Sequence, residues 1–456
     1  MLKFTTKKYL ALVICLLVFG CANNPLSSYS TNMTPVITNL QQGSLSQSDA
    51  KLSKSNSLLY YLEHGTLMRM SMNYPQSNKD FTNAQEFIDA WINSFHNGTL
   101  GNVSDTMEAG FINDKVLDYV AKDYEKVMIP TYKSLNYMSL NDIDSSRVEV
   151  MRMYNLEDII QNYRDTQYAK STEDAKSSPK GFPSYDKFQS DNQNKYDFGA
   201  INSPEVLALK NSYQNAFSHY LAGFIFEARG EMSLARPGYV RAGQLNPNNK
   251  MISQAITNID TKKLPDKDST DLLLVEEVGH APELKSVQFS IPFTANHGQT
   301  SCINAVTISF PALVLSKDNY KSINLSIDGI KEQTVLFTNF NLMAARYLHD
   351  NLPNIFLRNT IRAAKDITLQ QTSCSAGGSV GNFLAVVSGV VLGSADERTW
   401  SLLPSTINVI RIRLKKGEHV IRVTNNGKMH ETKINLTSSY AIVSYRVIGS
   451  EVYFSN

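Results

Sequence analysis

The chain has 456 residues, 44 Lys and Arg against 42 Asp and Glu, and a formal net charge of +2. A near-neutral balance excludes nucleic acid as a partner held by charge. With 42% hydrophobic residues the chain is also no disordered polymer, and its length allows two or three domains with their own cores.

Residues 1–21 read MLKFTTKKYLALVICLLVFGC. Lys3, Lys7 and Lys8 form a basic start, and Tyr9 to Phe19 is an apolar run too short for a permanent membrane span. Gly20-Cys21, with Val18 two residues before the glycine, resembles the lipobox of bacterial lipoproteins; Phe19 is larger than the residue usual at its position. The resemblance implies cleavage before Cys21, diacylglycerol on its sulfur and membrane attachment through acyl chains. Ala22 rather than Asp after the cysteine resembles outer-membrane sorting and implies the periplasmic face of that membrane. Cys15 would leave with the leader, residues 1–20. Cys302 and Cys374 then remain, a candidate disulfide in an oxidising compartment, with two free thiols as the alternative.

Residues 21–50 are rich in Ser, Asn and Gln without period, and predict a flexible tether. Residues 51–260 carry helical periodicity, interrupted at 165–202 by a polar stretch expected to be a mobile insert. In a window from Ala216, Gly223, Phe226, Ala235, Tyr239, Ala242 and Pro247 fall at positions 8, 11, 20, 24, 27 and 32. This resembles a tetratricopeptide repeat, in which small residues let two helices approach, an aromatic fills the space beside them and proline stops the second helix. Pro237 departs from the pattern, inside the expected second helix. A window from Leu58 places Gly65, Met68, Ser77, Phe81 and Ala84 in the same register. A fainter one from Val127 places Ser134, Tyr137, Ser146, Val150 and Met153 there. Such hairpins predict a groove for an extended partner, with Arg229, Arg236 and Arg241 offered to its acidic groups.

From residue 271 to 456 the period changes to that of strands, as in Val287-Phe289-Ile291-Phe293, Val306-Ile308-Phe310, Ile323-Leu325-Ile327 and Ile410-Ile412-Leu414. A helix is expected near 343–366, and turns at 414–420 and at Asn425-Asn426-Gly427 within a terminal antiparallel sheet. The fold class is α+β: tetratricopeptide-like helical hairpins, then a mostly antiparallel β domain with a helical insert.

Four segments, YYLEHGTLMRM (Tyr60 to Met70), DYEKVMIPTYKSLNYM (Asp123 to Met138), LLLVEEVGHAP (Leu272 to Pro282) and ADERTWSLLP (Ala395 to Pro404), resemble an uncharacterised family of bacterial outer-membrane lipoproteins with tetratricopeptide-like helices. The family has no established activity; its members can be encoded beside lipoproteins that activate peptidoglycan synthases, which implies an envelope role with envelope proteins as partners, and the chain is expected not to be an enzyme. Within these segments His280, beside Glu276 and Glu277, reads as a turn or a polar site. Asp396, Arg398 and Trp400 read as a structural corner or a binding edge.

Other chemistry has less support. Gly377-Gly378-Ser379-Val380-Gly381 fits a hydrolase nucleophile elbow, with Asp396 and then His419 or His430 following, but no buried strand precedes the serine. The apolar run Phe383 to Leu392 suggests core, or a carrier surface for lipid or glycan. The eight histidines are scattered and neither a zinc nor a nucleotide motif is present, so no metal or cofactor is expected. The sequence sets no oligomeric state.

Overall fold

The computed structural model describes residues 28–97, 119–175, 183–297, 300–315, 323–376 and 395–455; in 171–175, 290–297, 300–306 and 362–376 it describes the backbone. Among these, twelve helices precede the first strand: α1 Tyr29–Gln41, α2 Leu45–Lys51, α3 Leu58–Met70, α4 Tyr74–His96, α5 Asp123–Ser139, α6 Ile143–Ala175, α7 Tyr185–Asp191, α8 Phe198–Ile201, α9 Pro204–Leu207, α10 Ala216–Ala228, α11 Met232–Leu245 and α12 Lys250–Asp260. Their starts are set by side chains that accept from orphan amides: Ser57 from Tyr60 N, Asn73 from Gln76 N and Asn215 from Ser218 N.

Three helix pairs, α3/α4, α5/α6 and α10/α11, repeat one geometry. Each closes through a left-handed residue at position 15 of its window: Met72 (φ 59°), Asn141 (φ 55°) and Gly230 (φ 78°). In each, the next amide donates back to the carbonyl at position 11: Asn73 N to Met68 O at 2.9 Å, Asp142 N to Tyr137 O at 2.8 Å and Glu231 N to Phe226 O at 2.8 Å. This is the Schellman closure. A Cβ on Gly65 would lie 2.8 Å from the Phe81 ring, and one on Gly223 2.7 Å from Tyr239. Ser77 Oγ donates to Gly65 O at 2.7 Å, and Ser146 Oγ to Ser134 O at 3.0 Å. Ala84, Phe226, Ala235 and Ala242 are buried at the helix contacts, and Pro247 sits in the turn after α11. The hairpins are tetratricopeptide-like, including the pair from Val127 that the sequence signals least. Pro237 does not end α11. It and Ser233, whose carbonyl loses its amide partner, are both exposed, so water can serve that carbonyl.

Eleven strands follow in the described residues: β1 Ser269–Val278, β2 Glu283–His297, β3 Thr300–Val314, β4 Asn324–Ile327, β5 Ile330–Glu332, β6 Val335–Asn339, β7 Thr406–Lys415, β8 Gly417–Asn425, β9 Lys428–Leu436, β10 Tyr440–Ile448 and β11 Glu451–Ser455. Helix α13, Phe340–Ala376, lies between β6 and β7 and is longer than the expected 343–366. One sheet has the order β11-β10-β1-β7-β6, a second β5-β4-β8-β9, and β2-β3 form a separate hairpin. The terminal strands depart from the antiparallel expectation at one place: β10 pairs with β1 in parallel, Leu273 opposite Ile442. Asn426 (φ 49°) and Gly427 (φ 80°) make the two-residue β8–β9 turn expected of Asn-Gly.

The layers explain the sequence of β1, STDLLLVEEV, every residue of which is buried. Leu273 and Val275 face the helices with Ile407, Val409 and Ile442. Leu272 and Leu274 face the second sheet with Ile421, Val423 and Ile434. A strand covered on both faces reads as a continuous apolar run. The helical and β halves therefore share one core.

Two polar stretches are ordered against expectation. Residues 29–50 of the predicted tether lie in α1, in α2 and in the turn between them. Met33, Val36, Ile37 and Leu40 are buried against Leu67, Met70, Leu402 and Ile448, and Tyr453 Oη donates to Leu40 O at 2.6 Å. Four apolar residues on one face of a polar helix are enough when a partner surface waits for them. In the predicted mobile insert, 165–175 continue α6, and Phe188, Tyr196, Phe198 and Ile201, with Val206 just after it, pack under the β2–β3 hairpin with Phe289, Phe310 and Phe356.

Alanine in a helix interior ordinarily gains about 1 kcal/mol over glycine. In Gly223→Ala the added methyl collides with Tyr239, so the variant is expected to lose about 1–3 kcal/mol in denaturant unfolding. A midpoint at or above that of the parent would rule out this packing.

Candidate functional site

The four segments that resemble the lipoprotein family meet at one place. Tyr60–Met70 lies in α3, Asp123–Met138 in α5, and Leu272–Pro282 in β1 and the turn after it; Ala395–Pro404 is an irregular strap threaded between them. A buried irregular strand of backbone needs acceptors for its amides. Glu63 of α3 accepts from Ser401 N at 2.6 Å, Leu402 N at 2.9 Å and Tyr29 Oη at 2.9 Å. Glu125 of α5 accepts from Trp400 N at 2.9 Å, Thr399 Oγ1 at 3.0 Å, Lys122 N at 2.8 Å and the Tyr119 hydroxyl. Trp400, 0% exposed, donates Nε1 to Thr66 Oγ1 at 2.9 Å. Its ring lies 5.7 Å from those of Phe81 and Tyr132.

Below the strap, Arg69 donates to Asn136 Oδ1 at 2.9 Å and Ser444 Oγ at 2.6 Å, and lies 3.5 Å from Glu277. Arg446 donates to Leu402 O at 2.9 Å and lies 3.4 Å from the same Glu277. Glu276, on the opposite face of β1, accepts from Tyr445 Oη at 2.6 Å and Asn408 Nδ2 at 2.7 Å. A second buried set ties the last hairpin to the sheet. Glu227 of α10 accepts from Tyr239 Oη at 2.5 Å and pairs with Arg411 of β7 at 2.6 Å, and Arg411 reaches Asp271 of β1 at 2.6 Å.

The sequence-predicted residues fall into this frame as structure. Trp400 is core and no binding edge. Asp396 and Arg398 pair with each other at 2.8 Å, and the Arg398 guanidinium lies over the Tyr119 ring at 5.6 Å. His280 is buried, its Nδ1 2.9 Å from Ala281 O, in the turn between β1 and β2. The repeat arginines are engaged too: Arg236 with Asp260 at 2.7 Å, Arg229 with Asp144 and Glu231, and Arg241 over the Tyr154 ring at 4.9 Å. Of the alternative hydrolase set, His419 pairs with Asp328 at 2.6 Å and Asp396 with Arg398 at 2.8 Å. Cys21, Ser379 and the run 383–392 lie outside the described residues, as do the side chains of Cys302 and Cys374. No group of three His, Cys, Asp or Glu side chains suited to a metal occurs among the described residues, and no helix there is long and apolar enough to cross a membrane.

The groove expected across Gly65, Ser134 and Gly223 is closed by the chain itself. Asp123–Asn136 of α5 and Ala216–Glu227 of α10 are buried throughout. The sheet face carrying Leu273 and Val275 fills the place an extended peptide would take. Tyr239 is 0% exposed, held between Gly223 and Glu227.

The open surfaces lie elsewhere. Val148 and Met151 stand one turn apart on the outer face of α6, 54% and 44% exposed, and Met72 and Leu140 sit at successive hairpin turns, 50% and 43% exposed. A cleft of about 390 Å³ separates the α5–α6 turn from the β9–β10 turn, lined by Asn141, Ile143, Asn435, Ser438, Ser439 and Tyr440 among others.

No protein-family model matches this chain, and no curated protein matches it. Among solved structures it is similar to a tetratricopeptide repeat protein from Parabacteroides merdae ATCC 43184, at 12% identity over 51% of this chain and 98% of that one, with a TM-score of 0.13. The hairpin closures and Gly–aromatic contacts carry the tetratricopeptide-like description. The class they define is an α+β protein whose helical repeats are roofed by a β-sandwich.

Burial pushes the Glu63 carboxyl up to about 8, against the three donors that favour its charged form. A folded-state value above the ordinary 4.5 means that the stability this group contributes is complete below about pH 4.5 and is lost as pH rises through 8. The protein is expected to weaken between pH 6 and about pH 9 in urea unfolding. Glu63→Gln, which keeps an acceptor and cannot ionise, should flatten that decline. An unchanged slope would show that Glu63 is already ionised at pH 6.

Proposed function

We propose that this protein is a lipid-anchored scaffold of the cell envelope. In this reading Cys21 holds it at the periplasmic face of the outer membrane, and it binds other envelope proteins in cell-wall or surface assembly without chemistry of its own. The leader with its Gly20-Cys21 boundary supports the anchor. The observation that carries the binding role is the outer face of the second hairpin. Val148 and Met151 stay exposed there while the inner helical faces are spent on the internal sheet. Neighbouring apolar side chains on a rigid helix are the usual anchors of a helix-surface interface.

The test is site-specific photo-crosslinking in intact cells from positions 148 and 151, with captured proteins identified by mass spectrometry. Recovery of the same envelope proteins from both positions is expected. Recovery from position 148 should fall about tenfold or more in Met151→Asp, and from position 151 in Val148→Asp, the equivalent of about 1.4 kcal/mol of binding. Both sites are exposed, so the unfolding midpoint of each variant should stay with the parent. Equal recovery from parent and variant would remove α6 as the interface.

A second reading, a carrier of glycan or lipid, is favoured by the cleft beside Tyr440. Its volume suits a small ligand, and hydroxyl and amide groups beside one aromatic ring suit a sugar better than an acyl chain. Native mass spectrometry of protein released from membranes tests it, and a single unadorned mass would exclude it.

A further inference from the structure

We infer that Cys302 and Cys374 are joined in an intramolecular disulfide that braces the β2–β3 hairpin to helix α13. The inference rests on the reading that the chain is exported to an oxidising compartment, and beyond that on the register of two elements whose contact is fixed nearer the body. The rings of Phe310 on β3 and Phe356 on α13 stack with centroids 6.3 Å apart and planes 13° from parallel. One turn further along the helix, Asn359 Nδ2 donates to Ser309 O at 2.9 Å. The helix leaves the body at Phe340, whose amide donates to Ser405 O at 2.8 Å. Strand β3 returns to the body, with Leu313 packed on the main core beside Tyr347. The two elements therefore run antiparallel away from a common base.

Counting outward from the Phe310–Phe356 contact brings the two cysteines together. From 310 back to 302 is eight residues of strand, about 26–27 Å at 3.3–3.4 Å each. The step is even, so the pleat returns position 302 to the face that carries Ile308 and Phe310. From 356 on to 374 is 18 residues of helix, about 27 Å at 1.5 Å each. Eighteen residues also make about five whole turns at 3.6 per turn, so position 374 returns to the stripe that carries Phe356. Equal height and facing stripes place the two backbones in one register, 72 residues apart in sequence (374 − 302). With Cys15 lost and Cys21 acylated, these are the two thiols that the exported chain keeps.

Closing the bridge forms one S–S bond and breaks two S–H bonds. The S–S bond of a thiol–disulfide exchange protein breaks in turn and takes up the two electrons and the two protons, so that it leaves as the dithiol. The product is a covalent loop across the far part of an arm whose helix alone, at 37 residues, is about 55 Å long.

The test uses the full chain recovered from cell envelopes with free thiols blocked by N-ethylmaleimide at lysis. The expected result is a linked peptide pair containing Cys302 and Cys374, two hydrogens lighter than its parts, with labelling of both only after reduction. In Cys302→Ser, Cys374 should label fully without reductant. Maleimide on both cysteines of the envelope-bound protein, or dimers joined through them, would overturn the bridge. If the protein is instead found in the cytosol, the export reading fails separately. The same protein is then treated with oxidised glutathione: the 302–374 pair should form within one chain, and failure to form it overturns the bridge itself.

Discussion

The strap at 395–405 is the constraint on which the rest of the structure depends. It is backbone without regular hydrogen bonding, buried where three elements meet; at its end Ser405 N donates to Val278 O of β1 at 2.8 Å, but the amides of Trp400, Ser401 and Leu402 need side-chain acceptors. Two carboxyl groups, Glu63 and Glu125, each from the first helix of a hairpin, accept from Ser401, Leu402 and Trp400. Arg446 of β10 takes the strap's Leu402 carbonyl from the other side. Removing any of these leaves a buried donor or charge uncompensated, which costs far more than the bond itself contributes. Tyr60–Met70, Asp123–Met138 and Leu272–Pro282 are the walls of this one junction, and Ala395–Pro404 is the strap they seat.

That junction also settles how the helical repeats are used. A tetratricopeptide-like array ordinarily leaves one face for a partner. Here α5 and α10 are buried on all sides because β1, β7 and β10 lie across them, fastened by Arg411 to Glu227 and Asp271. The aromatic that fills the third hairpin, Tyr239, donates to the same Glu227 and is part of the fastening. The protein thus keeps its groove for itself and presents the backs of the hairpins.

Much of this was legible in the sequence, and the exceptions have physical causes. Gly223 with Tyr239 and Gly65 with Phe81 could be read because close helix approach admits few residue types. The strand alternation in β4 could be read because Leu325 and Ile327 are buried while Asn324 and Ser326 are not, and Asn426-Gly427 because the turn needs positive φ twice. The hairpin at Val127 was faint because Ser134 and Ser146 replace small apolar residues by hydroxyls that bond each other's backbone, a solution that spacing rules do not score. Helices α1 and α2 and the packing of Phe188 to Val206 were missed because their local composition is polar; the surfaces that order them, Leu67, Met70, Leu402 and Ile448 for α1 and Phe289, Phe310 and Phe356 for Phe188, belong to other elements. Trp400 was ambiguous for a similar reason, since a tryptophan among charges looks the same whether those charges face water or carry the core. Glu63 and Glu125 had a signal that was not used: a lone carboxylate on an otherwise apolar helix face marks a buried acceptor.

The ordering of α1 has a consequence for where the protein can act. Only residues 22–28 separate Cys21 from the first turn of that helix. Seven residues span at most about 25 Å fully drawn out. With a lipid on Cys21, the body would sit as a buoy on a short chain, pressed close to the bilayer and turned so that the start of α1 points towards it. Height above the membrane would then come from the folded shape and not from the linker, and a partner would have to come down to meet it.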